Sequence, residues 1–344
     1  MNLIKINRRF GILTISSVFL LLLAGGFVRS TGSGMGCPDW PKCYDKLYPP
    51  TCECELPDNY QALYVEKRVK KAEKFSKLIA SLGFKKEAAL ISNDPNLYTP
   101  EIFNTRKAWT EYINRIIGVL SGLFSLVFFI TLIRIRKSIS TYKFWAGIIG
   151  FVLMLFNGWL GSIVVATNLF PILITIHYLA AYAVLAFFII SLHQESNISD
   201  LNVFKKYRYF FLFFVMMSLL QVVFGTQLRH VTDEAVAQNQ LYINNEVNYE
   251  LMGMAFKKHW IFAILIILIS LIPVFTLRKK INRKHYFMIL SITLLLVVQY
   301  VSGVLNLRFN FPLIPQVSHI LFAGLVFGIS LYLCLSFFKC RKVE

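Results

Sequence analysis

Seven long stretches of this chain carry no formally charged residue: 10–28, 116–133, 144–192, 209–228, 260–277, 286–307 and 309–338. The hydrocarbon core of a bilayer offers no partner to backbone N–H and C=O groups, so a segment inside it must be a helix of about 20 apolar residues or part of a closed barrel. The stretch 144–192 is too long for one helix. Its segment 167–171, Thr-Asn-Leu-Phe-Pro, has turn chemistry and divides it in two. The expectation is an all-α membrane protein with eight transmembrane helices. With 56% hydrophobic residues, the composition agrees with that and not with an ordinary soluble domain.

Basic residues in the short connections predict the orientation. They are Lys5, Arg8 and Arg9 before span 1, and Arg134, Arg136, Lys137 and Lys143 between spans 2 and 3. Lys205, Lys206 and Arg208 lie between spans 4 and 5, and Arg278, Lys279, Lys280, Arg283 and Lys284 between spans 6 and 7. Lys339, Arg341 and Lys342 end the chain. All five clusters fall on one side, which predicts cytoplasmic termini. The connection 30–110 is also rich in lysine, but a loop that long crosses regardless of charge. The net charge of +18 is therefore read as topogenic, with no nucleic-acid partner. Span 1 ends Gly25-Gly-Phe-Val-Arg29, without a small-x-small cleavage site, and is read as a retained helix.

The spans form two sets of four. Asn157-Gly-Trp-Leu-Gly161…Asn168…Pro171…His177 recurs as Gln299-Tyr-Val-Ser-Gly303…Asn310…Pro312…His319. The glycines, the asparagines and the histidines of the two copies are each 142 residues apart. Gly25-Gly-Phe-Val-Arg29 likewise resembles Gly225-Thr-Gln-Leu-Arg229. Four spans per copy start both copies on the same side, so the expected repeat is parallel, as two tandem four-helix bundles. The expected halves are 1–195 and 196–344. The external loop 30–110 interrupts the first; within it, residues 62–90 have helical apolar spacing among lysines and predict one or two short amphipathic helices.

Three of the six histidines, His177, His259 and His319, fall at one predicted depth, at the external ends of spans 4, 6 and 8. His193 and His285 lie beside basic clusters, and His230 follows Arg229 in a loop. Bis-histidine ligation of a haem needs one imidazole from each of two helices at equal depth. His259 and His319 meet that requirement within one half. His177 belongs to the other half, and its partner position, by symmetry with His259, holds Asn114. That leaves an open or weak coordination position there. Glu111 shares a helix face with Asn114. A carboxylate at that depth suits proton transfer or charge stabilisation, and equally suits a plain i, i+4 pair with Arg115. Arg29 and Arg229 either meet haem propionates or anchor helix ends.

Cys37, Cys43, Cys52 and Cys54 lie in the external loop, where disulfides are permitted. Cys37 and Cys43 enclose a proline-rich pentapeptide, whereas Cys52 and Cys54 stand too close together for an easy mutual bond. The sequence leaves three pairings open, and a thiolate metal site is the weaker alternative. Cys334 and Cys340 read as free thiols.

The chain resembles the haem A synthase family. The residues that carry the resemblance are Arg29-Ser-Thr-Gly-Ser-Gly…Gly-Cys37-Pro-Asp-Trp-Pro-Lys-Cys43, Glu111-Tyr-Ile-Asn-Arg115, Thr175-Ile-His177, His259 and Ser318-His319. The resemblance implies oxidation of the C8 methyl of haem O to the formyl group of haem A, for cytochrome oxidase biogenesis. It implies His259 and His319 as axial ligands of a resident haem b, His177 on the substrate haem iron, Glu111 as the essential glutamate, and Cys37 and Cys43 as the external cysteine pair. It also implies a bacterial inner-membrane location, an upstream synthase supplying haem O, and a membrane electron acceptor or donor; a homo-oligomer is compatible with it. The chain departs from the family at Asn114, where the family has a histidine. A b-type cytochrome that only transfers electrons, and a transporter with paired sites, are the readings from other classes.

Overall fold

A computed structural model describes residues 2–194, 196–197, 201–243, 246–338 and 340–341. In chain order its helices are α1 (Leu3–Ser30), α2 (Tyr60–Ser81), α3 (Lys85–Ser92), α4 (Thr105–Arg134), α5 (Thr141–Ala166), α6 (Pro171–Leu192), α7 (Leu201–Ala237), α8 (Tyr249–Thr276), α9 (Arg283–Arg308) and α10 (Leu313–Phe338). Among the described residues, all but α2 and α3 contain a segment long and apolar enough to cross a membrane, eight in total. The chain is an all-α, multi-pass membrane protein. Its strands are two-residue pairs, Ser196–Asn197 with Cys340–Arg341 and Tyr242–Ile243 with Glu246–Val247. The side chains of Lys205, Lys206, Lys339, Cys340, Arg341 and Lys342 lie outside the described residues.

Several helices outrun the charge-free stretches that announce them. α4 takes in Arg106, Lys107, Glu111 and Arg115, and α8 takes in Glu250, Lys257 and Lys258. The bilayer demands apolarity only within its core, and beyond it a helix continues until its orphan N–H groups find a cap. Asn104 Oδ1 accepts from Lys107 N at 3.0 Å, and Asn248 Oδ1 accepts from Leu251 N at 3.2 Å. Glu111 and Arg115 therefore stand on an unbroken α4, whereas α8 is kinked at Gly253 (φ 47°), between the Asn248 cap and His259.

Contacts close two rings. α1 packs on α4, α4 on α5, α5 on α6 and α6 on α1; α7 packs on α8, α8 on α9, α9 on α10 and α10 on α7. The rings join where α10 meets α1 and α6, and where α6 meets α7. Each ring contains a turn of the same form. Asn168 and Leu169 have φ 50° and 61°, and Asn310 and Phe311 have φ 54° and 56°. Leu169 N donates to Val164 O and Phe311 N to Asn306 O, each at 2.8 Å. Asparagine tolerates this left-handed region better than most residues, which accounts for its place at the head of both turns. Each turn leads into the helix that carries a histidine, His177 on α6 and His319 on α10.

The middle of the bundle, and the end bearing the short basic connections, is filled by buried aromatic and aliphatic side chains. Phe128, Leu185 and Phe188 are fully buried there, and Tyr182 meets Phe327 edge-on across the ring junction at 5.0 Å. The opposite end carries the long loop and buried clusters of its own. Of the one or two helices expected over 62–90, two are present, α2 and α3, which together run slightly beyond it at both ends. α2 lies over α5 and α6, packing Ala72 and Phe75 against Leu160, Val164 and Leu173. Phe75 meets Trp159 at 6.2 Å, and Asn168 Nδ2 donates to Asn96 O at 2.8 Å. The loop thus covers the end of the first ring beside its turn.

Cys37 and Cys43 are joined, with Cα atoms 4.8 Å apart. Cys52 and Cys54 are joined as well, which corrects the expectation from their spacing. The backbone explains it: Cys52 is extended and the chain enters a 3-10 turn at Glu53–Glu55, so the Cα separation is 5.3 Å, within the usual disulfide range. Cys334 is free and buried.

Candidate functional site

His259 and His319 project from α8 and α10, which lie diagonally across the second ring. Their ring centroids are 6.2 Å apart and their planes are inclined at 47°. Each imidazole seats against a glycine of a neighbouring helix. A Cβ on Gly225 would lie 3.2 Å from His259 Cε1, and one on Gly303 would lie 3.5 Å from His319 Cε1. An alanine at Gly225 would press on the His259 ring by a few tenths of an ångström, whereas at Gly303 it would only touch His319. Hydrogen bonds fix the rings further. Gln221 Nε2 lies 3.2 Å from His259 Nδ1 and donates to His259 O at 3.0 Å. Ser302 Oγ gives its only proton to Gln299 O at 2.8 Å, so it accepts from His319 Nδ1–H at 2.9 Å. That network assigns the His319 tautomer and leaves Nε2 with its lone pair.

The pair fits a metal held between two imidazoles. Two metal–nitrogen bonds of about 2 Å, added to the two ring radii, place the centroids about 6 Å apart. The surroundings fit a macrocycle bearing carboxylates. Both histidines line a cavity of about 370 Å³, whose walls include Tyr178, Tyr182, Trp260 and Tyr300. Arg29 and Arg229 line it too, near the loop-bearing ends of α1 and α7. Asp233 lies between them, 2.9 Å from Arg29 Nη2 and 2.7 Å from Arg229 Nε. Arg229 also donates to Gln316 and lies over the ring of Phe311. The two arginines, one from each ring, thus belong to one cavity.

In the first ring, α4 and α6 occupy the corresponding diagonal. His177 of α6 seats against Gly161 as His319 does against Gly303, with a Cβ-to-Cε1 distance of 3.3 Å. Asn114 stands on α4, and its Oδ1 is buried without a hydrogen-bond partner among the described residues. Glu111, one turn away, is 4% exposed. One of its oxygens accepts from Cys37 N at 2.8 Å, and the other pairs with Arg115. Arg115 also donates to the carbonyls of Cys37 (2.7 Å), Asp39 (2.6 Å) and Lys42 (2.8 Å). The i, i+4 pair that the spacing permits therefore exists, and it pins the Cys37–Cys43 loop onto α4. Farther out, Asp45 accepts from Lys67, which holds its carboxyl below the usual range. A lowered carboxyl pKa contributes at neutral pH and loses its contribution only as acid protonates the group.

The loop meets α4 closely at Gly36, where a Cβ would lie 2.4 Å from Lys107 O. Gly36→Ala must push loop and helix apart. Overpacking of this kind typically costs about 1–3 kcal/mol. The expected result is faster protease cleavage between α1 and α4 and a lower melting temperature. A variant cleaved and melted like the parent would show that this contact does not hold the loop.

The remaining histidines stand elsewhere. His230 pairs with Glu234 at 3.4 Å, His193 packs against Tyr332, and His285 Nδ1 lies 2.7 Å from Asn282 Oδ1. Three residues of the site escape a reading of the sequence: Gln221, Ser302 and Asp233. Ser302 left a signal, as the residue before the repeated glycine where the first copy has Leu160. Asp233 left half of one, its i, i+4 spacing from Arg229; its contact with Arg29, some two hundred positions away, left none.

A family model described as COX15-CtaA, cytochrome oxidase assembly protein, matches residues 8–331. Among curated proteins, heme A synthase of Shewanella oneidensis (strain MR-1) is 28% identical over 174 residues. That match covers 51% of this chain and 41% of the relative, so the aligned part spans about two fifths of the relative's length.

Proposed function

The chain belongs to the COX15-CtaA family of cytochrome oxidase assembly proteins, and from that premise we propose that it is a haem A synthase. Its substrate is haem O, whose C8 methyl becomes the formyl group of haem A through successive hydroxylations. Water supplies the oxygen, and electrons and protons leave the substrate in equal number. The observation that carries this reading is the inequality of two equivalent diagonals. One presents two imidazoles, and the other presents His177 opposite a helix bearing Asn114 and Glu111.

In this reading the halves are 1–195 and 196–344, descended from one four-helix unit and arranged in parallel. His259 and His319 hold haem b in the second half, and that group supplies electron transfer. Gln221 and Ser302 orient the two imidazoles, while Arg29 and Arg229 face the propionates. In the first half His177 binds the substrate iron. Glu111 stands near the methyl group being oxidised, and with Arg115 it keeps the Cys37–Cys43 loop closed over the site. The protein sits in the bacterial cell membrane with both termini cytoplasmic. It receives haem O from the synthase that makes it and passes electrons to a membrane acceptor.

Production of the full chain alongside a haem O source, followed by haem extraction and chromatography, tests the proposal. Haem A is the expected product. Folded, haem-loaded protein that leaves haem O unconverted would sink it. The engagement of both Glu111 oxygens by Cys37 and Arg115 favours one second reading, a b-type cytochrome in which Glu111 is purely structural.

A further inference from the structure

The two histidines that occupy equivalent places in the repeat are held differently. His319 Nδ1–H is bound by Ser302 Oγ at 2.9 Å, and Gln299 Nε2 reaches His319 O at 3.4 Å. His177 seats on its glycine in the same way, yet no protein group among the described residues is within hydrogen-bond reach of its Nδ1. The residue before Gly303 is Ser302; the residue before Gly161 is Leu160, 3% exposed and packed against Val164 and Leu173. Asn157 replaces Gln299, and its Oδ1 is buried without a partner. Leu160 offers no acceptor, so among the described residues packing alone orients the His177 ring and no hydrogen bond to Nδ1 selects its tautomer.

An imidazole whose second nitrogen is hydrogen-bonded is the more basic and better-oriented metal ligand, and loss of such a partner typically costs about 10–100-fold in metal affinity. A resident cofactor and a substrate need opposite properties here, since one must stay and the other must leave as product. We propose that Leu160 is a positioning residue that makes His177 a releasable ligand, so that the first half lets its haem go while Ser302 helps the second half retain its own. The inference rests on the first half being the substrate site. It assigns the difference between holding and releasing to one side chain in each copy.

Leu160→Ser and Ser302→Leu, made separately in the full chain, test it. The purified proteins, loaded with haem O, are mixed with excess apomyoglobin as haem acceptor, and the haems that transfer are separated by chromatography. Haem O and haem A report the first half, and haem b reports the second. Leu160→Ser is expected to slow transfer of haem O and haem A about 10–100-fold, with haem b unaffected. Ser302→Leu is expected to speed the loss of haem b by a similar factor, and Leu160→Thr, which also brings a hydroxyl acceptor, replaces Leu160→Ser if that variant does not fold. Unchanged transfer rates in folded, fully loaded variants overturn the inference alone. A parent protein that never takes up haem O overturns the substrate-site reading as well, which keeps the two failures distinct.

Discussion

Replacement of His259 by alanine is expected to strip haem b from the purified protein while leaving the bundle folded. The imidazole is one of two that line one cavity, with ring centroids 6.2 Å apart, and His319 alone cannot complete that pair. Loss of a ligand must cost more than the roughly 10–100-fold that follows loss of a ligand's hydrogen-bond partner. The haem-to-protein ratio, read from the visible spectrum and from extracted haem, should fall accordingly. His319→Ala should do the same. His177→Ala should spare haem b, because that ring belongs to the other four-helix ring. Should His177→Ala remove haem b and His259→Ala spare it, the assignment of the halves is wrong.

Glu111→Gln is expected to lower haem A formation by about 10²–10⁴-fold, the usual span for loss of a positioned proton-transfer group. Haem O or a hydroxylated intermediate should accumulate while the haem b spectrum stays intact. Glutamine keeps the length of the side chain and an oxygen able to accept from Cys37 N, at 2.8 Å in the parent. It therefore preserves much of the loop attachment while removing the carboxylate. Glu111→Ala removes both, so the two variants separate chemistry from attachment. Full activity in Glu111→Gln, with activity and loop protection both lost in Glu111→Ala, would reduce Glu111 to a structural pin and favour the electron-carrier reading.

The architecture was largely legible because a bilayer acts on local properties. Charge-free length located every spanning helix, the turn at 167–171 divided the one ambiguous stretch, and apolar periodicity located α2 and α3. Helix ends were less legible. α4 and α8 run past their apolar stretches under Asn104 and Asn248, since capping and packing, not hydropathy, decide where a helix stops. Cys52 and Cys54 misled for a related reason: residue spacing does not show that the intervening backbone turns.

The site divides along the same line. The offset shared by Gly161 and Gly303 and by His177 and His319 is a property of the sequence, and it marked both diagonals before any fold was known. Helical spacing likewise put Glu111 and Arg115 on one face of α4. Which partners those groups take was decided by tertiary structure. Packing brings Cys37 to Glu111, Ser302 to His319, and Asp233 of α7 to Arg29 of α1. A one-dimensional pattern records which residues share a helix face, because that follows from 3.6 residues per turn. It does not record which faces meet; that depends on how the helices close into rings, and only the closed rings show Asp233 between Arg29 and Arg229.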